Sequence, residues 1–546
     1  MARLFLLQVK GTDCFYFNTL TCKHNIFTEA KKRQIQSQII KAQRGIIYDR
    51  NKNVLAMSLP SKTLCINPNK LNNKKSDPIL RELANILKVP VANIKKTISR
   101  NKNKREYYLK RHTSKHVYEQ VSKLSNPNIY FINENKRTYL GGEAFANILG
   151  FTDVDDIGQE GIELIKNNTL IPRDGSKIIK RDNIGRVIET LEVSQKPHSG
   201  DNIILTLDKK LQIIAYDVLK KYIHKSEAES GSIVLVETSS GNILTMANYP
   251  SFDPDERKTY KGHKIKNRVI YDLIEPGSTI KPLIVYAGLQ NNIIDDKTTI
   301  NTAPGLIEVD NRVIKDWKYL GEVSIRDIIS LSSNIGAAKI AHRLSKKQLI
   351  TSLDEFGFGQ SLFLNLPGSK NGTIPSVDNL SESRQLSIGY GYGLSVSLMH
   401  LAYAYTKLAN FGEYTQLKYI SNGESSKNNT EPKHDEENIS SVLNMMKDVV
   451  HSENGTGKKA AVNGYTVYGK TGTVRLMKNG DYDKNSHNAL FIGILGDPLP
   501  KYVAAVIIRQ PKDREGSGGY HAAPVFGEFL QHTMRIIDET KYAGTR

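Results

Sequence analysis

Cysteine is scarce in this chain of 546 residues, whose three cysteines are Cys14, Cys22 and Cys65. An odd number of cysteines without a C-x-x-C pair provides no disulfide framework and no dithiol redox motif. The histidines are scattered, and no group of histidine, cysteine and carboxylate residues has the spacing of a metal site. The sequence therefore predicts an activity that uses no metal and no other cofactor.

A long apolar run is also missing. The stretch Met1–Val9 is largely apolar, but Lys10 ends it, whereas a membrane-spanning helix needs about 20 apolar residues. The same stretch lacks the three-part layout of a secretory signal peptide. Met1–Val9 by itself is therefore too short for a membrane-spanning helix and does not form a signal peptide.

Acidic residues are too few to balance the basic ones. There are 56 Asp and Glu against 76 Lys and Arg, which gives a net charge of +20 and a pI near 9.4. A positive charge of this size is typical of proteins that bind an anionic partner, such as nucleic acid, lipid headgroups or cell-wall polymer. It also arises from a lysine-rich residue usage that has no functional meaning. We discount nucleic acid, because the basic residues form no stripe interleaved with aromatic side chains. The length predicts two domains.

Ser278 opens a Ser-Thr-Ile-Lys tetrad that ends at Lys281. Pro276-Gly277 marks a turn and an apolar run of helical length follows, so Ser278 is predicted at the start of a helix. Residues i and i+3 share a helix face, which brings the Lys281 amine to the serine hydroxyl. A lysine with a lowered pKa can take the hydroxyl proton and activate the serine. The alternative for the tetrad alone is a capped helix with a surface lysine.

A second group, Ser332-Ser333-Asn334, interrupts a helical pattern about fifty residues later. The Ser332 hydroxyl can pass a proton between a lysine and a leaving amine, and the Asn334 amide can hold a peptide carbonyl. Taken in isolation, the group is better explained as the N-cap of the alanine-rich helix that follows.

Lys470, Thr471, Gly472 and Thr473 contain the single Lys-Thr-Gly of the chain. They follow β-branched and aromatic residues that predict a strand, in which glycine indicates the close approach of a ligand or another backbone. A substrate peptide would pair with the main chain of this strand, while the lysine charge and the threonine hydroxyls bind its carboxylate. The charge of Lys470 also favours a neutral amine nearby. The alternative is an edge strand with a protective lysine.

The three groups indicate a function only when they are taken together, because each of them alone can occur by chance. Ser99–Lys102, for example, has the same S-x-x-K spacing among charged residues that give no reason for a cleft. The order of nucleophile, relay and anion-binding strand, each with suitable flanks, predicts acyl transfer through a covalent serine intermediate.

These groups resemble the active-site motifs of the penicillin-binding proteins and serine β-lactamases. Further segments resemble the class B penicillin-binding proteins, which are monofunctional D,D-transpeptidases, and the resemblance covers about residues 3–530. The segments are Arg44–Ala56, Gly150–Asp153 with Gln159–Glu163, Arg181–Val187, Gly231–Pro254, Gly389–Val396 and Ala523–Phe526. Ser58-Leu59-Pro60 and the overall length favour the septal, FtsI-like branch, while the elongation-specific branch stays open.

The resemblance assigns a role to each candidate residue. Ser278 is expected to be the acylated nucleophile, Lys281 its base and Ser332 a proton relay, with Asn334 holding the donor peptide. The strand Lys470–Thr473 is expected to bind the substrate carboxylate. The backbone N–H groups of Ser278 and Thr473 are expected to form the oxyanion hole.

The implied function is cross-linking of peptidoglycan stem peptides at the division septum, with β-lactams as inhibitors. The implied partners are stem peptides on lipid II-derived glycan strands and division proteins of the membrane, including a septal glycosyltransferase. The implied location is the bacterial inner membrane, with a single anchor and a periplasmic catalytic domain. The rivals are a β-lactamase or β-lactam sensor, against which the long N-terminal part and the Arg44 segment argue, and a division scaffold that no longer reacts.

The implied fold is α+β. Residues 1–43 are expected to hold the anchor remnant and a juxtamembrane helix, 44–200 a mixed α/β pedestal, and 201–546 a transpeptidase domain with an antiparallel sheet flanked by helices. In the pedestal, Tyr139-Leu140-Gly141 departs from the proline usual in the family. The local predictions are a helix over Glu29–Lys41, a strand over Asn202–Leu207, a helix over Asp208–Lys225, a hairpin of Ser232–Val236 with Asn242–Ala247, strands over Ala489–Leu495 and Tyr502–Ile508, and a loop over Gly412–Asn438.

Overall fold

The computed structural model describes residues 12–13, 24–25, 34–182, 187–310, 312–413, 415–421, 436–478, 481–496, 499–512 and 517–543. Cys14, Cys22, the Met1–Val9 segment and most of the predicted Gly412–Asn438 loop lie outside these residues. Within the described ranges, no helix combines the length and apolar character that a membrane crossing requires.

The described part of the chain alternates short helices with strands. The strands are β1 Thr12–Asp13, β2 His24–Asn25, β3 Ile35–Ile40, β4 Ile47–Tyr48, β5 Val54–Ile66, β6 Tyr107–Thr113, β7 Ile129–Tyr139, β8 Gly175–Arg181, β9 Val187–Gln195, β10 Ile203–Ile204, β11 Ser230–Glu237, β12 Ile243–Tyr249, β13 Thr299–Asn301, β14 Leu306–Val309, β15 Arg312–Lys315, β16 Glu322–Ser324, β17 Thr466–Lys478, β18 Asp481–Gly496 and β19 Pro500–Arg509. The α-helices are α1 Pro68–Leu71, α2 Asp77–Leu87, α3 Val91–Arg100, α4 Lys115–Ser122, α5 Gly142–Leu149, α6 Gly161–Ile165, α7 Asn167–Leu170, α8 Lys209–Ser226, α9 Gly262–Ile265, α10 Arg268–Tyr271, α11 Lys281–Gln290, α12 Ile325–Ser330, α13 Asn334–Arg343, α14 Lys346–Glu355, α15 Glu382–Gly389, α16 Leu398–Ala409, α17 Glu436–His451 and α18 Gly518–Ala543.

Besides the two-stranded pair β1-β2, the N-terminal part contains two larger sheets. One has the strand order β10-β4-β5-β6, with β7 also paired to β5. Its strands β5 and β7 pack against α2, α3 and α4 through a separate apolar cluster that includes Leu64, Leu83 and Ile94. Because α2 carries its apolar residues at helical spacing, one face is buried and the other stays in solvent. The second sheet is three-stranded, in the order β3-β8-β9.

The predicted helix over Glu29–Lys41 is wrong where the structure describes it. Residues Ile35–Ile40 form strand β3, which pairs antiparallel with β8 from Ile35 opposite Lys180 to Ile40 opposite Gly175. The charges around this stretch suggested a helix, but a partner strand 135 or more residues away in sequence decides the conformation.

The segments around Arg44 and Glu163 are joined by a buried ion pair. The Nε of Arg44 lies 2.7 Å from one Glu163 oxygen and the Nε of Arg137 lies 2.7 Å from the other. All three side chains are almost completely buried. A buried carboxylate is stable only when such partners compensate its lost hydration, so the pairing fixes the α6 segment to β7 and to the chain before β4.

The C-terminal part is built on a five-stranded antiparallel sheet in the order β12-β11-β19-β18-β17. Side chains alternate along β19, as a strand requires. Val503, Ala505 and Ile507 face the larger apolar core, whereas Ala504, Val506 and Ile508 face a second core with α8 and α18. Helices therefore cover both faces of the sheet, and the α+β prediction is confirmed.

Most local predictions in this part are confirmed. The predicted hairpin is β11 with β12, the two late strands are parts of β18 and β19, and the helix over Asp208–Lys225 is α8 with Asp208 as its N-cap. The strand predicted over Asn202–Leu207 is shorter, Ile203–Ile204, and pairs parallel with Ile47–Tyr48. This pairing connects the start of the C-terminal part to the N-terminal sheet.

Candidate active site

Ser278 lies where a turn becomes a helix. A 3₁₀ turn, Gly277–Ile280, runs directly into α11, which begins at Lys281 and has Pro282 in its first turn. Proline is tolerated there because the first amides of a helix have no intrahelical acceptor. Ser278 itself is half-buried. The predicted helix start at the serine is confirmed.

Lys281 is a buried amine, and the surface-lysine alternative is wrong. Its exposed fraction is 0%, and its Nζ donates to the Ser332 carbonyl at 2.7 Å, to Asn334 Oδ1 at 2.8 Å and to Ser332 Oγ at 3.2 Å. Burial and, next, the charge of Lys470 hold the pKa of Lys281 well below its ordinary value, while the Asp316 carboxylate opposes the shift. A lysine with such a pKa can serve as a base at neutral pH.

Ser332 links two helices in a strained conformation. It follows α12 and precedes Asn334, the first residue of α13, and its φ is +64°. For a residue other than glycine this left-handed backbone costs roughly 1–3 kcal/mol and is concentrated at functional sites. Ser333 is the N-cap of α13 and accepts the Gly336 N–H at 2.9 Å. The N-cap interpretation is therefore confirmed at Ser333, while Ser332 and Asn334 stay candidates for the functional role.

Lys470 is a second buried lysine that contacts Ser332. Its Nζ donates to Ser332 Oγ at 2.9 Å, and its exposed fraction is 0%. β17 is indeed an edge strand, but a lysine keeps other strands from pairing with an edge only when its charge is exposed there. The protective role is therefore wrong for the buried Lys470. Burial lowers the pKa of Lys470 to about 7. The Ser332 hydroxyl thus lies between two amines that are both easier to deprotonate than ordinary lysines.

The rest of the Lys-Thr-Gly-Thr group shapes the edge of β17. Thr471 is buried, with its Oγ1 3.0 Å from Thr456 Oγ1, whereas Thr473 is exposed and its Oγ1 accepts the Gly518 N–H at 3.0 Å. A Cβ at Gly472 would lie 2.9 Å from Thr279 Cγ2, so glycine permits the close approach of β17 to the Ser278 turn. The three separated groups therefore meet in one place.

Ser99–Lys102, which has the same S-x-x-K spacing, lies elsewhere. It spans the end of α3 in the N-terminal part, and Ser99 and Lys102 are exposed. This exposure agrees with the charged flanking residues, which gave no reason to expect a cleft there.

Asp316 is a site residue that sequence reasoning missed. It follows β15 and is 8% exposed. Its carboxylate accepts the Ser333 hydroxyl at 2.8 Å and the Ile335 N–H at 3.2 Å, and it also accepts the Asn334 N–H. A carboxylate is stabilised at a helix N-terminus by the free amides there. Asp316 therefore fixes the loop that presents Ser332 and Asn334 to Lys281.

Gly391 supports the Ser278 turn in a similar way. Its carbonyl accepts the Gly277 N–H at 3.0 Å. Its φ is +89°, and a Cβ at this position would lie 2.0 Å from the Gly277 carbonyl oxygen. The sequence singled out the surrounding segment by resemblance alone, and the structure supplies its physical reason.

Replacing Asp316 with asparagine is expected to slow acylation by penicillin about tenfold. The remaining side-chain oxygen can still accept the backbone N–H groups of Asn334 and Ile335. The oxygen that accepts the Ser333 hydroxyl is replaced by an NH₂ group, which can only donate. A mispaired buried group of this kind costs about 1–3 kcal/mol. Loss of the charge should also let acylation continue to lower pH, because the Asp316 carboxylate raises the pKa of Lys281, the candidate base. Asp295→Asn, at an exposed carboxylate, is the control. An unchanged rate and pH profile would refute this role.

The described residues contain no group of three His, Cys, Asp or Glu side chains that could hold a metal ion. The polar groups around Ser278 are amines, hydroxyls, an amide and the Asp316 carboxylate. This donor set is suited to proton transfer and anion binding.

Comparison with known families decides the identity of the chain. Residues 231–531 match the penicillin binding protein transpeptidase domain. The chain belongs to the penicillin-binding protein transpeptidases. Residues 39–205 match the penicillin-binding protein dimerisation domain, so the resemblance inferred from the motifs is confirmed in both parts of the chain.

Curated relatives of this penicillin-binding protein match over nearly the whole length. The probable peptidoglycan D,D-transpeptidase PenA of Neisseria gonorrhoeae is 32% identical over 525 residues, covering 96% of this chain and 89% of that protein. The peptidoglycan D,D-transpeptidase FtsI of Escherichia coli (strain K12) is 31% identical over 513 residues, covering 93% and 86%.

Solved structures agree on the fold. The transpeptidase domain of penicillin-binding protein 3 from Burkholderia pseudomallei superposes with a TM-score of 0.55 at 31% identity, covering 61% of this chain and 96% of that chain. Penicillin-binding protein 3 from Mycobacterium tuberculosis, complexed with aztreonam, superposes with a TM-score of 0.69 at 23% identity, covering 92% and 97%. The latter comparison shows the common fold of the two parts.

Proposed function

We propose that this penicillin-binding transpeptidase cross-links peptidoglycan at the division septum, with Ser278 as its acylated nucleophile. The family makes the chain a serine-type D,D-transpeptidase. The observation that carries the assignment of roles is the placement of Ser332 Oγ, 3.2 Å from Lys281 Nζ and 2.9 Å from Lys470 Nζ, next to the serine turn. The septal role is supported by the relatives named FtsI.

The first half-reaction forms the acyl-enzyme. Ser278 Oγ attacks the carbonyl carbon of the penultimate D-Ala, and its proton passes to the neutral amine of Lys281. The negative charge on the carbonyl oxygen is held by the backbone N–H groups of Ser278 and Thr473. As the C–N bond breaks, Ser332 passes a proton from Lys281 to the leaving nitrogen, and free D-Ala departs.

The second half-reaction reverses this path. An amine of a neighbouring stem peptide attacks the ester carbonyl and gives up a proton, which returns through Lys281 to the departing Ser278 oxygen. Asn334 holds the donor peptide backbone. The strand from Lys470 to Thr473 binds the terminal carboxylate before D-Ala leaves, with the Lys470 ammonium as the counter-charge. β-Lactams enter the same path, because their strained amide presents a carbonyl and a carboxylate in the same arrangement.

The rate of acylation is expected to follow a bell-shaped pH profile. Lys281 must be neutral to act as base, so the rate falls as the pH drops through its lowered pKa. Lys470 must be protonated to bind a carboxylate, so the rate falls again as the pH rises above about 7 in the free enzyme. The measurement is the second-order rate constant for penicillin acylation against pH, which reports the free enzyme.

Lys470→Arg separates the two limbs, because arginine keeps its charge at high pH. The alkaline limb should move to higher pH in this variant while the acid limb stays. If the alkaline limb does not move, Lys470 is not the group that titrates.

The remaining expectations complete the proposal. The catalytic part, residues 201–546, acts on the periplasmic side of the inner membrane, to which a single anchor preceding the pedestal of residues 44–200 attaches it. Its partners there are other membrane proteins of the division machinery, including a glycosyltransferase that makes the glycan strands. The excess of basic residues, +20 overall, suits an anionic cell-wall polymer.

Depletion of the protein in its own host tests the septal role. Filaments with incomplete septa are the expected result, whereas round cells would assign the protein to cell elongation. A folded protein that no β-lactam acylates would be a scaffold, and one whose label disappears within seconds would be a β-lactamase.

A further inference from the structure

The chain has a single tryptophan, Trp317, and it is 66% exposed. Tryptophan combines a large apolar surface with one polar N–H, and it is enriched at interfaces for this reason. The acyl-transfer mechanism does not use this side chain. Its place in the chain, directly after Asp316, puts it beside the loop that carries Ser332.

The ring is fixed at this place. The indole N–H of Trp317 donates to the Leu331 carbonyl at 3.0 Å, and Leu331 is the residue before Ser332. On one face the ammonium of Lys318 lies 4.6 Å from the ring centroid. A ring held by its N–H while most of its surface stays accessible is pre-organised, which reduces the entropy lost when a ligand binds.

A second aromatic residue follows two positions later. Tyr319 is 67% exposed, and it lies near two glycines whose positive φ angles, +95° at Gly305 and +68° at Gly321, shape the loop. Thr302 donates through its N–H and its hydroxyl to the Gly321 carbonyl and so fixes this loop. The segment thus presents two exposed aromatic residues flanking a lysine.

The size of this segment argues against a protein partner. A stable protein interface buries about 800 Å² on each side, far more than two aromatic side chains supply. One ring with polar neighbours instead matches a single pyranose ring, whose C–H face packs on an indole while its hydroxyls and N-acetyl group bind polar groups at the edge.

We propose that Trp317 stacks against a sugar ring of the peptidoglycan strand whose stem peptide occupies the Ser278 site, with Lys318 and Tyr319 at its edge. The proposal rests on the transpeptidase function and adds a saccharide subsite to it. An extended stem peptide of about five residues spans up to about 17 Å. The contacts from Trp317 through Leu331 and Ser332 to Lys281 keep the ring within that reach.

Fluorescence tests the contact directly, because a single tryptophan means that all tryptophan emission comes from Trp317. The full chain is titrated with peptide-free glycan oligosaccharides, prepared from peptidoglycan by removing the stem peptides. A saturable change in emission is expected, and it should persist after Ser278 has been acylated by penicillin. Emission that stays constant up to millimolar oligosaccharide would overturn the proposal.

Calorimetry with variants gives the second measurement. Trp317→Ala should weaken oligosaccharide binding about tenfold, equivalent to about 1.4 kcal/mol, whereas Phe363→Ala, at an aromatic residue of equal exposure (67%), should not change it. Equal affinity of wild type and Trp317→Ala would contradict the proposal.

Penicillin labelling of each variant reports the acyl-transfer function separately. A wild-type protein that penicillin does not label would refute the transpeptidase assignment. Normal labelling without oligosaccharide binding would refute only the saccharide subsite. Labelling of Trp317→Ala also shows that this variant is folded.

Discussion

Acylation by penicillin is expected to slow by about 10³-fold when Lys281 is replaced with methionine, since a positioned general base contributes roughly 10²–10⁴-fold. Methionine fills a similar volume but has no lone pair on a basic nitrogen. Complete burial and the nearby charge of Lys470 lower the pKa of Lys281, which favours the neutral amine that can accept a proton. The rate constant is measured by stopping the reaction at early times and quantifying the covalent label.

A structural role for the same lysine must be separated from the base role. Lys281→Arg retains a cation and hydrogen-bond donors for Ser332 and Asn334, but guanidinium does not deprotonate in proteins. It should therefore be nearly as slow as Lys281→Met. Lys339→Met, at a lysine of α13 that donates to the Asn301 carbonyl at 2.7 Å, should acylate at the wild-type rate. Near wild-type acylation by Lys281→Arg would exclude Lys281 as the base.

The local conformation of the candidate catalytic groups could be predicted from the sequence, because it depends on neighbouring residues. The spacing of Ser278 and Lys281 on one helical turn is encoded by the residues between them, and the turn before them is marked by Pro276-Gly277. The strand around Lys470 follows from its β-branched and aromatic residues. In each case the structure confirms the local conformation that the residues predict.

The connections between these groups could not be predicted, because they depend on tertiary packing. Nothing near Asp316 indicates that its carboxylate caps a helix that begins 18 residues later. The sequence assigned Lys470 to a substrate carboxylate, but it gave no sign that its amine contacts the Ser332 hydroxyl. Contacts of this kind depend on how α11, α13 and β17 meet, and no local pattern records that.

The error at the N-terminus has the same origin. A charged, polar stretch around Ile35–Ile40 fits a solvent-exposed helix when considered alone. Its pairing with β8 more than a hundred residues later makes it a strand, because strand formation depends on the partner more than on intrinsic preference.

The central claim is that Ser278 forms a long-lived covalent acyl-enzyme. Replacement by alanine removes the proposed attacking oxygen. The neighbouring Thr279 hydroxyl cannot take its place, because it is buried and donates to the Pro276 carbonyl at 2.6 Å. We therefore expect Ser278→Ala to lose covalent penicillin labelling completely. Its thermal unfolding temperature should stay close to that of the wild type, because the removed hydroxyl is only half-buried.

The most direct test incubates wild type and Ser278→Ala with fluorescent penicillin and follows the labelled band on a denaturing gel over time. A label on the wild type that persists for many minutes and is absent from the variant is the predicted result. Labelling of Ser278→Ala at the wild-type level would contradict the account, because the acyl group would then be carried by another residue.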